Sequence, residues 1–124
     1  MPVLAIVGAG PGLGTAVAHR FGSAGFTVAL ISRNPQKLET IGQQLAAEGI
    51  TAKGYIADVR DRDALAAALD SAGADLGPID VLQFSPVPSK DFLKPVLDTT
   101  VEDLRAAAEM SILGVAAAIR QVLP

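Results

Sequence analysis

Between an apolar run, Val3 to Val7, and a stretch with helical spacing, Thr15 to Ala24, the chain reads Gly8-Ala9-Gly10-Pro11-Gly12-Leu13-Gly14. A strand, a glycine turn and a helix N-terminus in that order make a phosphate cradle, because unsatisfied backbone N–H groups and the positive end of the helix dipole converge on one point. The dinucleotide spacing G-x-G-x-x-G fails from Gly8, since position 13 is Leu13, whereas G-x-x-x-G-x-G is met by Gly8, Gly12 and Gly14. In that register Gly8 allows the turn, Gly12 lets backbone approach a pyrophosphate and Gly14 brings the helix against the strand, with Gly10 in addition. The same turn also has a purely architectural reading, without a ligand.

A second apolar run, Thr27 to Ile31, has the composition of a strand covered on both faces and ends in Ser32-Arg33-Asn34. At the tip of such a strand in a doubly wound sheet lies the adenosine ribose, where an acid binds the 2′-hydroxyl of NAD and an arginine accommodates the 2′-phosphate of NADP. Ser32 stands where that acid would be and Arg33 follows it, so a guanidinium–phosphate contact is available without carboxylate repulsion, which favours NADP over NAD. A solvated loop cation before a helix is the alternative for Arg33.

On these residues the chain resembles the short-chain dehydrogenase/reductase family, and the likeness runs through essentially all of its length. The family places an aspartate after the third strand to hold the adenine, and Asp58-Val59, after Tyr55-Ile56-Ala57, matches that element; Asp58 could equally cap the next helix. The run Ile79-Asp80-Val81-Leu82 resembles the family's fourth strand, which leads into Asn-Asn-Ala-Gly, but here the chain has Phe84-Ser85-Pro86-Val87. Phe84 either walls the cofactor cleft or belongs to the core, and Ser85 follows it. In Met110-Ser111-Ile112-Leu113-Gly114 the position of Ser111 is the family's relay asparagine. The family's chemistry rests on a serine and a Tyr-x-x-x-Lys pair, and here the only tyrosine is Tyr55, with Val59 four residues on. The resemblance therefore implies the cofactor-binding half of an oxidoreductase, residues 1–124, that moves hydride between a nicotinamide and a carbonyl or alcohol substrate. Without the catalytic half this chain is expected to be inactive; a dinucleotide-binding or regulatory module without chemistry is the alternative.

The chain has 124 residues, about one domain by length, although the family domain is roughly twice as long. Half of the residues are hydrophobic and the mean hydropathy is +0.40, which implies surfaces covered by other segments or by another copy, so a homo-oligomer is expected. The net charge is −3, with 10 basic and 13 acidic residues and no basic run, which argues against a nucleic-acid partner. There is no cysteine, hence no disulfide and no sign of an oxidising compartment. No signal peptide or apolar span points to a membrane, and the cytoplasm is the default expectation. His19 and the scattered aspartates (Asp61, Asp63, Asp70, Asp75) form neither a catalytic nor a metal-ligand pattern.

The elements that must position these residues alternate strand and helix, the signature of a Rossmann-like, doubly wound parallel α/β sheet, here incomplete with about four strands and four helices. Strands are expected at 3–7, 27–31, 52–57 and 79–84, and helices near 13–24, 35–48, 62–73 and 100–123. Gly25 and Gly49 fit the positions just past two helix ends, and Asn34-Pro35 reads as an N-cap followed by proline at the first helical position. Residues 85–99, with Pro86, Pro88 and Lys94-Pro95, form the one long irregular stretch, broken by a turn near Phe92-Leu93. Thr99 or Thr100 starts the last helix with an acid three residues on. The recurrence of Val101, Leu104, Ala108, Ile112, Val115 and Ile119 places one face against the sheet, and Leu113, Ala116, Ala117 and Val122 widen the apolar arc.

Overall fold

The computed structural model describes residues 1–87 and 93–124. Pro88 and the Phe92 end of the expected turn lie outside the described residues. β1 (Val3–Val7), β2 (Thr27–Ser32), β3 (Ala52–Ile56) and β4 (Val81–Phe84) form one parallel sheet in the order β3-β2-β1-β4. β1 and β2 sit in the middle with both faces covered, which is why they read as unbroken apolar runs. Alternate residues serve opposite cores. Leu4, Ile6, Val28 and Leu30 meet α1 (Leu13–Ser23) and α2 (Pro35–Ala47), whereas Ala5, Val7, Ala29 and Ile31 meet α3 (Arg62–Leu76) and α5 (Gly114–Val122).

The ends of α1 and α2 are set by local chemistry. Gly25 and Gly49 both take positive φ just past the helix, and the residues after them, Phe26 and Ile50, return N–H bonds to Phe21 O at 3.1 Å and Leu45 O at 3.0 Å. Each is a complete Schellman turn, and the first is closed by an edge-to-face contact of Phe21 and Phe26 with ring centroids 4.9 Å apart. At the start of α2 the Asn34 side chain accepts from the N–H groups of Gln36 and Lys37, with Pro35 at the first helical position.

Three expectations change. The cap of α3 is Asp61, which accepts from Ala64 N–H at 3.1 Å, so the capping alternative for Asp58 is excluded. β4 begins at Val81 rather than Ile79, because Asp80 turns its carboxylate onto Val3 N–H at 2.8 Å and anchors the strand entrance beside β1. The last helix starts at Thr100 with a reciprocal capping box to Asp103 and continues through α4 (Val101–Ala108), a π turn (Glu109–Leu113) and α5. Its sheet-facing side was misassigned: Val101, Leu104, Ile112 and Ile119 are exposed, and Met110, Gly114 and Ala118 are buried instead. The small side chains win this position because contact is close. A Cβ on Gly114 would stand 3.2 Å from Val59 O and 3.4 Å from Phe84 Cζ.

Candidate functional site

Strand register brings the loops together. Val7 pairs with Ile31 and with Phe84, and Ser32 pairs with Ile56, so the carboxyl ends of the four strands are nearly flush. The chain winds outward from β1 to β3 and then crosses back to β4 beside β1. Such a reversal of strand order leaves a crevice outside the carboxyl ends, where open α/β sheets bind ligands. A cleft lies there. It is lined by Gly8, Ala9, Gly10 and Pro11 after β1; Ile31, Ser32, Arg33 and Lys37 around the end of β2; Ala57, Asp58, Val59 and Arg60 after β3; Pro86 and Val87 after β4; and Met110 from the π turn.

The glycines of the first turn have different reasons to be glycine. Gly8 has φ +91°, and a Cβ there would fall 2.5 Å from the backbone N and Cα of Pro86, so the turn is pressed against the exit of β4. Its N–H and that of Ala9 both donate to Ile31 O, at 2.9 and 3.0 Å, which ties the turn to β2. Gly14 lets α1 approach β1, since its Cβ would meet Ala9 Cα at 3.3 Å and Ile6 Cγ2 at 3.5 Å. At Gly10 and Gly12, by contrast, a Cβ would meet nothing within 4 Å, so the protein's own packing does not call for glycine at either position. No side chain caps the N-terminus of α1. Thr15 N–H already donates to Gly10 O at 3.1 Å, so the first-turn N–H groups available to an anion are those of Leu13 and Gly14. Gly12, Leu13 and Gly14 stand at the head of the helix without lining the cleft, and Leu13 is largely exposed.

The opposite wall carries the charges. Ser32 Oγ accepts from Asn34 N–H at 3.3 Å, and the neighbouring Arg33 is exposed at the mouth. Asp58 is held by Arg60, whose Nε and Nη2 donate to the two carboxylate oxygens at 3.2 and 2.9 Å and whose backbone N–H adds a bond of 2.9 Å. The Arg60 hydrogen bonds, with a smaller contribution from the charge of Arg33, keep the Asp58 carboxyl below its ordinary pKa. Four cleft residues escaped the sequence reading although they carry charge or shape: Lys37, Arg60, Pro86 and Met110. Lys37 follows Arg33 by four residues, a spacing visible in the sequence. Met110 is brought in by the π turn, which leaves no such signal.

Phe84 packs into the core beneath α3 and α5 and does not line the cleft. Ser85 also stays outside it, with its N–H on Val7 O at 2.9 Å and its Oγ accepting from Gln83 Nε2 at 2.9 Å. Ser111 is exposed and away from the cleft. Tyr55 is nearly buried, its phenol donates to Asp75 at 2.9 Å, and burial followed by that bond raises its pKa, so it is not poised to exchange a proton. His19 joins α1 to α2 through Glu48 at 2.7 Å. Among the described residues no His/Cys/Asp/Glu cluster could hold a metal ion, and no helix is long and apolar enough to cross a membrane.

A parallel α/β sheet with a glycine turn at the head of its first helix and a cleft at its strand ends defines a nucleotide-binding class of fold. The family model for short chain dehydrogenases matches residues 2–124, and the chain belongs to that family. It is 37% identical over 107 residues, 86% of its length, to a 2,3-dihydro-2,3-dihydroxybenzoate dehydrogenase of Bacillus subtilis (strain 168). It is also 33% identical over 120 residues, 96% of its length, to a 3-dehydrosphinganine reductase of Arabidopsis thaliana. The chain spans 40% and 35%, respectively, of the length of these relatives. Among solved structures it resembles a metagenomic short-chain oxidoreductase in complex with NADP, with a TM-score of 0.88 and 27% identity, covering 97% of this chain and 54% of that one.

Proposed function

We propose that residues 1–124 form the NADP(H)-binding half of a short-chain oxidoreductase that moves hydride between the nicotinamide and a carbonyl or alcohol substrate. The observation that carries the reading is the pair Gly10 and Gly12: their missing side chains serve no packing purpose within the chain, yet they leave bare backbone beside an uncapped helix N-terminus. A pyrophosphate fits that cradle. Arg33 then faces the 2′-phosphate of the adenosine ribose, Ser32 leaves room for it, and Asp58 and Val59 border the adenine. The bound dinucleotide supplies the hydride chemistry, while these side chains bind and orient it. The substrate and proton-transfer groups of such an oxidoreductase lie outside this half, and the cytoplasm is its proposed compartment. Complexes with NADP within the family support the choice of NADP over NAD.

A second reading, a dinucleotide-binding module without chemistry, draws on Phe84-Ser85-Pro86-Val87 and on Ser111: of these only Pro86 and Val87 line the cleft, and their side chains carry no reacting group. Calorimetric titration of this chain with NADPH and with NADH tests the binding common to both readings. NADPH is expected to bind more tightly, and Arg33→Asp to abolish the difference. Equal affinity for the two would sink the NADP assignment, and binding of neither would sink the cradle. The enzyme and module readings separate by turnover: NADPH-dependent reduction of a carbonyl by a protein that carries this half supports the first, and binding without turnover supports the second.

A further inference from the structure

Arg33 does not face the cleft alone. Lys37, on the first turn of α2, lines the same wall, and its side chain has no hydrogen bond or ion pair among the described residues. Arg33 is likewise without a hydrogen bond or ion pair there, whereas Lys53, Arg60, Arg62, Lys94 and Arg105 are each bound to a carboxylate. Beside these two cations stands Asp58, the one carboxylate of the cleft lining among the described residues. An uncompensated carboxylate at that place would repel a phosphate and attract Arg33 to itself. Arg60 prevents this by gripping both oxygens of Asp58.

We infer that selection of a phosphorylated ribose in this cleft is set by three side chains beyond Arg33: Lys37 is the second phosphate cation, and Arg60 neutralises Asp58 so that both cations face the ligand unopposed. The inference rests on the proposed NADP reading and deepens it. The charge of Arg33 already stabilises the Asp58 carboxylate, which places the two groups within electrostatic reach. A phosphate dianion offers two cations more than either can gain from a carboxylate that Arg60 has already engaged. Asp58 thereby keeps a place beside the adenine without opposing the 2′-phosphate.

The test reads the ratio of the NADH and NADPH dissociation constants for this chain by calorimetry, with circular dichroism to verify folding. Lys37→Met should reduce the preference for NADPH on the order of fivefold and leave NADH affinity nearly unchanged. Arg60→Met should reduce it similarly, and Asp58→Asn added to Arg60→Met should restore it, a coupling that a merely structural role of Arg60 does not produce. The preference of the parent chain should also narrow with added salt. Lys37→Met alone keeps the inference decidable if Arg60→Met fails to fold. An NADPH preference that persists in Lys37→Met, or that Asp58→Asn does not restore in the double variant, overturns the inference while leaving the NADP reading intact. Absence of any NADPH preference in the parent chain overturns both.

Discussion

Gly8 and Gly10 stand two residues apart in one turn, yet substitution by alanine has different consequences at each. At Gly8 a methyl group meets the Pro86 backbone at 2.5 Å and demands φ +91° of an L-residue. Gly8→Ala should therefore destabilise the chain by about 3 kcal/mol or more, seen as a lower urea midpoint. At Gly10 the added methyl group enters open space. Gly10→Ala should change stability by less than about 1 kcal/mol in the same assay while weakening dinucleotide binding in the titration. A large loss of stability at Gly10, or none at Gly8, would reverse the roles given to them. Gly10 and Arg33 were legible as cleft residues because their places are local: a turn before a helix and the residue after a strand. Arg60 was not, because its importance depends on Asp58 being spent on an ion pair rather than on the cap of α3, and only the placement of Asp61 decides that.

Helix termini follow the same logic of local legibility. The Schellman turns at Gly25 and Gly49 and the Asn34-Pro35 start stand where sequence placed them, because each involves residues within one helical turn. The capping box of Thr100 and Asp103 holds α4 in the same way, with bonds of 2.9 and 3.1 Å. Thr100→Ala should cost about 1 kcal/mol in thermal or urea unfolding and fray α4. No change would mean that contacts downstream of the cap already fix the helix. The orientation of α4 and α5 was not legible. That helix is apolar on more than one side, so hydrophobicity alone does not choose a face. The choice falls to size, with Gly114 and Ala118 admitted against the sheet and Ile112 and Ile119 left outside. The π turn adds a change of phase that a 3.6-residue period does not contain.

At the scale of the molecule, both outer strands of the sheet and several apolar side chains of the final helical segment remain open among the described residues. β4 pairs only with β1, so its outer edge presents unpaired backbone groups, and the buried Oε1 of Gln83 on that strand has no hydrogen-bond partner. Along the final helical segment Leu104, Ile112, Leu113 and Ile119 are 61%, 65%, 41% and 43% exposed. Burying such large apolar side chains is favourable by about 25 cal/mol per Å². Light scattering of this chain should accordingly give a mass above that of a monomer, and Ile112→Glu should lower it. A monomer at high micromolar concentration would count against the homo-oligomer. The parallel α/β sheet was legible at this scale, since strand–helix alternation and the rules for parallel connections leave few arrangements.

The contact of Gly8 with Pro86 also bears on the order in which the chain acquires its structure. The first strand–helix–strand unit closes over a short stretch of sequence, but the wall against which its glycine turn rests arrives only with β4, whose entrance is joined to Val3 across a sequence separation of 77. Closing so long a loop costs entropy that local helices do not bear. The cradle is thus completed by one of the most remote contacts in the chain, and in a polypeptide emerging from the ribosome the segments of α1, α2 and α3 all precede the strand that completes the place to hold a nucleotide.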